Sequence, residues 1–227
     1  MLTGGRDGVR VAAVVPVRGL PAGKSRLAAV LRPDQRNRLV RAMLSDVVRM
    51  LRSVAAVESV TVLSRDAAAA REATRLGADF LQEPPGALGL NRAFVYAQTE
   101  HAEAEALLLV PADLPLVMRG DVEELLDALP QGRGVVVAQS RDGGTNGLLL
   151  RPPTVISPMY GSGSAGRHVA AAEEAGVAVA RVEGERWALD IDTPEDLVLA
   201  VAMEGCGDIE TLRYLRSAEL ADVILRC

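Results

Sequence analysis

The fold is decided by the stretch Leu107-Leu108-Leu109-Val110-Pro111-Ala112-Asp113-Leu114-Pro115, four large apolar residues followed by a loop that carries a single acid. Such an apolar run bounded by turn residues predicts a central strand of a parallel sheet, covered on both faces. The two prolines cannot donate backbone hydrogen bonds, so the strand should end here and Asp113 should lie in a stiff loop. Ligands of open α/β sheets collect at the carboxyl ends of such strands. Asp113 is therefore a candidate functional residue, although a turn or capping aspartate would explain it equally well at this point.

The rest of the chain alternates between short β-rich runs and amphipathic helical patterns, which is typical of an α/β domain. We predict strands at Val9–Val17, Val57–Leu63, Ala78–Leu81, Gly134–Gln139, Leu148–Arg151 and Val177–Val182. Helices are predicted at Asp34–Leu51, from the capping Asp66 to Leu76, at Leu90–Ala104 and Asp121–Leu129, from the glycine-serine loop to Ala175, after Thr193-Pro194, and at Asp208–Arg226.

The totals exclude several classes of protein. A chain of 227 residues with 49% hydrophobic content suits one large α/β domain, and a net charge of −5 without a basic face argues against a nucleic-acid partner. No apolar run approaches the roughly 20 residues of a membrane span, and the N-terminus lacks a signal-peptide pattern, so we expect a cytoplasmic protein without a membrane partner. Cys206 and Cys227 are expected to be reduced and incidental. The sequence does not determine the oligomeric state.

One lysine stands out in a chain that otherwise uses arginine. Of the 25 basic residues only Lys24 is a lysine, and it lies in the loop Arg18-Gly19-Leu20-Pro21-Ala22-Gly23-Lys24-Ser25-Arg26-Leu27. Backbone N–H groups, a lysine, a serine and two arginines before a helix are the ingredients of an oligophosphate cradle. The loop is not a Walker A motif, because only Gly23 of its two glycines is in place. A solvated basic loop is the alternative.

Three further polar sites follow predicted strands or precede predicted helices. The loop from Tyr160 to His168 opens onto a helix and could bind a second anion, although Ser164 could equally be a helix cap. Thr145 places a hydroxyl at a strand entrance, where simple turn chemistry would also suit it. Asn91 could cap a helix or turn its amide to a nucleobase or ribose. For Arg167 and His168 we favour a solvated or structural role.

Two more acids, Asp190 and Asp192, are expected at the end of a strand, as Asp113 is. Thr193-Pro194 with Asp196 forms a helix start, which explains Asp196 but neither of the other two. If these acids converge on Asp113, their like charges would repel one another. A divalent, oxygen-loving cation would resolve that repulsion.

These motifs together carry a family likeness. Over roughly residues 9 to 203, the set resembles the 2-phospho-L-lactate and phosphoenolpyruvate guanylyltransferases of coenzyme F-420 biosynthesis; it comprises Val14-Val15-Pro16-Val17-Arg18, Ala22-Gly23-Lys24-Ser25-Arg26-Leu27, Gly89-Leu90-Asn91, Pro111-Ala112-Asp113-Leu114-Pro115, Gly144-Thr145-Asn146, Tyr160-Gly161 to His168 and Asp190-Ile191-Asp192-Thr193-Pro194. The resemblance implies a single-domain, Rossmann-like nucleotidyltransferase of the glycosyltransferase-A type with a mostly parallel sheet. It implies a nucleotidyltransferase domain at 1–203 and an appended C-terminal helical segment at 204–227.

The resemblance also implies roles for individual residues. Mg²⁺ would be held by Asp113 and Asp190, with Asp192 as the second choice for a metal ligand, and the phosphorylated three-carbon acid by Thr145, Gly161 and Ser164. Nucleotide binding would fall to Pro16, Arg18, Lys24, Ser25 and Asn91, and catalysis to Lys24, Arg26, Asp113 and Asp190. Arg18 stands where the resemblance leads us to expect a lysine.

The implied reaction is attack of the acid's phosphate on the α-phosphorus of GTP, without a protein nucleophile. We expect phosphoenolpyruvate as the acid rather than 2-phospho-L-lactate or 3-phosphoglycerate, because the arginine-rich, lysine-poor composition resembles high-GC actinobacterial relatives of the phosphoenolpyruvate-using branch. The alternatives are nucleotidyl transfer to another acceptor, such as molybdopterin or a sugar phosphate, and a non-catalytic nucleotide-binding regulator.

Overall fold

The computed structural model describes residues 9–18, 20, 24–85 and 89–224 of the chain. The predicted elements and loop residues at positions 1–8, 19, 21–23, 86–88 and 225–227 lie outside the described residues. The strands are β1 Val11–Pro16, β2 Val57–Ser64, β3 Asp79–Gln82, β4 Ala106–Leu109, β5 Gly134–Gln139, β6 Thr145–Arg151 and β7 Ala178–Val182. The helices are a 3-10 turn at Ser25–Ala29, α1 Pro33–Ser53, α2 Ala67–Leu76, α3 Leu90–Glu100, α4 Arg119–Asp127, α5 Ser164–Glu174, α6 Glu185–Ala188, α7 Pro194–Ala202, α8 Glu210–Leu215 and α9 Ala221–Ile224.

The strands form one mixed sheet in the order β3-β2-β1-β4-β6-β5-β7. β4 pairs in parallel with β1 but antiparallel with β6, and β6 is also antiparallel to β5. The predicted mostly parallel sheet is confirmed, and β6 is the strand that departs from it among those described. Because β6 runs against its neighbours, its first residues lie at the edge where the other strands end.

Apolar helices cover both faces of the sheet. Alternate residues of β1 point to opposite sides, with Val11, Ala13 and Val15 in a cluster with α1, and Ala12 and Val14 in a second cluster with α3. All of β4 is buried, as its unbroken apolar sequence predicts. Of the described helices, none is long and apolar enough to cross a membrane.

Several predicted boundaries and contexts are wrong. The helix that begins at Leu90 ends at Glu100 and not at Ala104, because a turn that includes Ala102 follows it. Asp190 and Asp192 do not follow a strand: they lie after the short helix α6, in a loop that is held by a hydrogen bond from the Ile191 N–H to the Asp113 carbonyl (3.0 Å).

The C-terminal segment forms two short helices rather than the one predicted. The carboxylate of Asp46 on α1 accepts hydrogen bonds from the N–H groups of Glu210 and Thr211 (2.9 and 2.7 Å), which anchors the start of α8. Leu212 and Leu215 are buried in the same apolar cluster as α1. A domain boundary at residue 203 stays a prediction.

Candidate active site

A cavity of about 240 Å³ opens at the carboxyl edge of the sheet, where β1 and β4 end. Polar and apolar side chains share its wall, among them Pro16, Arg18, Lys24, Leu90, Asp113 and Asp192. Five of these six residues were predicted to be functional from the sequence. The cavity lies where open α/β sheets bind ligands.

Lys24 is the centre of the charged part of this site. Its ammonium Nζ lies 2.6 Å from Oδ2 of Asp113 and 2.6 Å from Oδ1 of Asp192. Burial alone would lower the pKa of the ammonium, but the two carboxylates outweigh it and raise the pKa above its usual value. Lys24 is also the only non-glycine residue with positive φ (58°) in the described part of the chain. The left-handed backbone conformation is unfavourable for a residue with a side chain such as lysine. Contacts of the surrounding loop must therefore stabilise Lys24 in this conformation.

Asp190 is close enough to feel the charge of Asp113, but it makes different contacts. Its Oδ1 accepts a hydrogen bond from Nδ2 of Asn146 (3.3 Å), and Asn146 also donates to the carbonyl of Trp187 (2.7 Å). Burial, and then the negative charge of Asp113, raises the pKa of the Asp190 carboxyl. Lys24 therefore pairs with Asp113 and Asp192, whereas Asp190 is hydrogen-bonded to Asn146. Convergence of all three acids on one metal ion stays a prediction.

The donor set suits a magnesium ion bound together with a nucleotide. Among the residues that the structure describes, no three histidine, cysteine, aspartate or glutamate side chains form a ready metal cluster. Mg²⁺ is usually bound by one or two carboxylates plus substrate phosphates and water, which requires no such cluster. Burial raises the pKa of the Asp190 carboxyl most and the charge of Asp113 adds to it; a divalent cation would relieve the second contribution. The metal roles of Asp113, Asp190 and Asp192 stay predictions.

The remaining cradle residues differ in how firmly they are held. Arg26 is largely exposed, with Nη1 3.4 Å from Oδ2 of Asp192, and Ser25 is exposed. Arg18 lines the cavity, and its Nη2 lies 3.4 Å from Oε2 of the buried Glu83 at the end of β3. Glu83 also accepts a hydrogen bond from Arg65 (2.8 Å). Arg18 is thus tied to the β3 side of the cavity.

A second, neutral group of polar side chains lies at the start of β6. Oγ of Ser164 donates to Oγ1 of Thr145 (2.9 Å), and Nδ1 of His168 lies 2.9 Å from the same oxygen. Ser164 is not the cap of α5: Gly163 takes that place with φ 66°, because glycine adopts the left-handed conformation without strain. Ser164 N–H donates to the Gly161 carbonyl (3.0 Å), so this first-turn donor is already used.

Asn91 does not cap α3 either, because Gly89 precedes that helix as its cap. Its side-chain amide forms a pair of hydrogen bonds with the backbone of Tyr160, donating to the carbonyl (3.1 Å) and accepting from the N–H (2.6 Å). Asn91 therefore fixes the residue before Gly161. Its predicted contact with the nucleotide stays a prediction.

Three residues in the site were not identified as functional candidates from the sequence. Asn146 orients Asp190, His168 contacts Thr145, and Glu83 holds Arg18. Asn146 directly follows Thr145 in the motif Gly144-Thr145-Asn146, so the sequence did indicate that it could belong to the site. Nothing near His168 or Glu83 in sequence indicates their partners.

Comparisons with known proteins agree with this geometry. The family model described as "Guanylyl transferase CofC like" matches residues 11–223. The chain is 43% identical over 198 residues to a phosphoenolpyruvate guanylyltransferase of Rubrobacter xylanophilus, covering 86% of this chain and 95% of that protein. It is 39% identical over 212 residues to a 3-phospho-D-glycerate guanylyltransferase of Phenylobacterium zucineum, covering 90% and 96%.

A solved structure shows the same fold. A crystal structure from Desulfovibrio desulfuricans G20, assigned provisionally as a nucleotide-diphospho-sugar transferase, superposes with a TM-score of 0.80 at 19% identity, covering 96% of this chain and 98% of that one. The predicted glycosyltransferase-A-like nucleotidyltransferase fold is therefore confirmed.

Proposed function

We propose that this chain, which belongs to the family of CofC-like guanylyl transferases, joins GMP from GTP to phosphoenolpyruvate and releases pyrophosphate. The observation that carries the proposal is the placement of Lys24 between Asp113 and Asp192 in the wall of the cavity. Thr145, with its neutral hydroxyl, begins β6, which pairs with β4, the strand that precedes Asp113. The next residue, Asn146, donates a hydrogen bond to Asp190. A charged half for an oligophosphate and a neutral half for a second anion suit a two-substrate phosphoryl-type transfer.

The chemistry requires no protein nucleophile. A phosphate oxygen of the acid attacks the α-phosphorus of GTP, and the bond between that phosphorus and the oxygen bridging to the β-phosphorus breaks as pyrophosphate leaves. The attacking oxygen is already anionic, so the protein has to position both substrates and neutralise charge. Lys24 and Arg26 supply positive charge, and Mg²⁺ held by Asp113 and Asp190 would neutralise the phosphates of GTP when bound.

Of the two relatives described above, the one with the higher identity is named a phosphoenolpyruvate guanylyltransferase, which supports phosphoenolpyruvate as the acceptor. The same family includes a relative named for 3-phospho-D-glycerate, so the family alone does not decide the acid. Phosphoenolpyruvate and 2-phospho-L-lactate carry the same charged groups and differ only in the saturation of one carbon–carbon bond, where shape contributes about 1–3 kcal/mol. Some activity with both is expected, and we place the product in coenzyme F-420 biosynthesis on the basis of the family resemblance.

Pyrophosphate release, with mass-spectrometric identification of the product, tests the proposal. GTP is incubated with Mg²⁺ and with phosphoenolpyruvate, 2-phospho-L-lactate or 3-phosphoglycerate in parallel, and CTP and ATP serve as nucleotide controls. The expected result is the highest kcat/KM with GTP and phosphoenolpyruvate. A clear preference for another acid would overturn the acceptor assignment and leave guanylyl transfer standing. Binding of GTP without pyrophosphate release with any acid would favour a non-catalytic regulator.

A further inference from the structure

His168 is one of two histidines in the chain, and it is completely buried beside the predicted acceptor site. Its ring packs edge-on against Tyr160, with 5.5 Å between the ring centroids. Both ring nitrogens have hydrogen-bonding partners: Nε2 faces the N–H of Met159 (2.7 Å), and Nδ1 faces Oγ1 of Thr145 (2.9 Å).

These partners assign the proton of the ring. A backbone N–H can only donate, so Nε2 must be the acceptor and the neutral ring must carry its proton on Nδ1. Burial, and then the positive charge of Arg167, lowers the pKa of His168 to about 4, which keeps the ring neutral near pH 7. Nδ1–H therefore donates to Thr145, and Thr145 accepts.

The consequence is a spare hydroxyl proton. Thr145 and Ser164 carry two hydroxyl protons, and one of them fills the 2.9 Å hydrogen bond between their oxygens. Ser164 donates to Thr145 and His168 donates to the same oxygen, so the proton of the Thr145 hydroxyl has no acceptor among the residues that the structure describes. Ser164 is fully buried, whereas Thr145 as a whole residue is 5% exposed, so we assign the outward-facing proton to Thr145.

We propose that His168 is a positioning residue that makes the Thr145–Ser164 pair an obligate hydrogen-bond donor toward an anionic oxygen of the acceptor acid. This inference rests on the proposed function, because it concerns the same acceptor. A phosphate or carboxylate oxygen can only accept, so it matches a pair that has a proton to give. Ser164 and His168 fill both lone pairs of the Thr145 oxygen, so a ligand that presents a hydroxyl or amide donor to that oxygen would find no free acceptor there. Thr145 therefore contributes to the selection of an acidic substrate.

Steady-state kinetics on four variants test the inference. His168→Phe keeps an aromatic ring and removes both hydrogen bonds, His168→Asn keeps an N–H near the position of Nδ1, Thr145→Val removes the hydroxyl, and the fourth variant combines His168→Phe with Thr145→Val. We expect His168→Phe to raise the KM of phosphoenolpyruvate about tenfold or more, the effect of a lost hydrogen bond to a charged group, with the KM of GTP within about twofold of wild type. His168→Asn should recover most of this loss.

The double variant separates positioning from general support of the fold. If His168 acts through Thr145, the double variant should match Thr145→Val, because the two changes remove the same interaction. Additive losses, or equal rises in the KM of GTP and of phosphoenolpyruvate, would overturn the inference. An inactive wild-type protein would instead count against the proposed function.

A spectroscopic measurement needs no variant of His168 and so survives a failure of His168→Phe to fold. In ¹⁵N-labelled wild-type protein, the side-chain nitrogens of His168 should show the neutral form protonated on Nδ1 from pH 6 to 8. The second histidine, His101, is assigned by comparison with His101→Asn. A ring protonated on Nε2 alone would remove the Nδ1–H donor, and a ring protonated on both nitrogens would leave the Met159 N–H without its acceptor; either result would overturn the inference.

Discussion

Lys24→Met should bind Mg²⁺ more tightly than wild type in the absence of nucleotide, although it should be a poor enzyme. In the structure the ammonium lies 2.6 Å from Asp113 and 2.6 Å from Asp192, so it occupies the position of a cation between carboxylates. A metal ion that approaches Asp113 must therefore repel Lys24 or displace it. Methionine has a similar length and no charge, so this competition disappears.

The size of the effect follows from the charges. The repulsion between a unit charge and a divalent ion at about 4 Å is about 2 kcal/mol in the dielectric of bulk water, or about 30-fold in affinity. The side chain of Lys24 is only 11% exposed, so the local dielectric is lower than that of water and 30-fold is a lower bound. In the absence of metal the variant should lose about 1–3 kcal/mol of stability, because two carboxylates lose a charged partner.

Calorimetric titration of MgCl₂ into nucleotide-free protein measures this affinity, and the Mg²⁺ dependence of the thermal midpoint checks it. Arg26→Met is the matched control. Arg26 also lies near Asp192, at 3.4 Å, but the Arg26 side chain is 72% exposed. Solvent screens that charge, so its removal should change the affinity by less than about threefold. If Mg²⁺ binds Lys24→Met no more tightly than wild type, Lys24 does not compete with the metal, and the assignment of Asp113 to the metal site is wrong.

Three further substitutions give separate outcomes. Asp190→Asn should lower kcat at least about 100-fold, as the loss of a charge-stabilising group does, yet raise the thermal midpoint of the metal-free protein at pH 7. Burial and the charge of Asp113 raise the pKa of the Asp190 carboxyl, so its ionised form destabilises the folded protein above that pKa. The gain in thermal midpoint should therefore disappear as the pH falls below the usual pKa of 3.8, and a gain that persists there would refute this explanation. Asp192→Asn should keep kcat within about tenfold of wild type; a loss equal to that of Asp190→Asn would make it the metal ligand instead. Asp46→Ala should cost about 1–3 kcal/mol in urea unfolding, because two buried N–H groups of α8 lose their acceptor, with unchanged KM values as the check that the site is intact.

The parts of the fold that depend on local patterns could be predicted from the sequence. Asp66 caps α2 by accepting from the N–H of Ala68, and Gly77 ends that helix in the left-handed conformation, as their positions predict. Thr193 caps α7 as predicted, and Asp196 completes a capping box with it. The buried β4 and the loop acid Asp113 also lie where their sequence places them. Each of these features depends on interactions within a few residues, so the local sequence is sufficient to predict it.

The parts that depend on distant contacts could not be predicted. The strand before Asp190 was inferred from an analogy with Asp113, but a backbone hydrogen bond between the two loops holds this segment without a ladder. The sequence predicts a solvated or structural role for His168, and its contact with Thr145 spans 23 residues of sequence. The pairing of Lys24 with Asp192 spans 168. Such contacts arise only from the order and direction of the strands.

The reversed direction of β6 explains why the site has two chemically different halves. Parallel strands bring their carboxyl ends to the cavity, and the loops that follow β1 and β4 carry Lys24 and Asp113. β6 brings its first residues to the same edge, and Thr145 and Asn146 are buried there within the sheet. In such a buried position a hydroxyl or an amide can be satisfied by hydrogen bonds far more readily than a charged group can. Charge therefore gathers on loops, which are partly hydrated, and neutral donors gather on the strand. It follows that substitutions in the loops should change metal binding and turnover, whereas substitutions around Thr145 should change the choice and affinity of the acid.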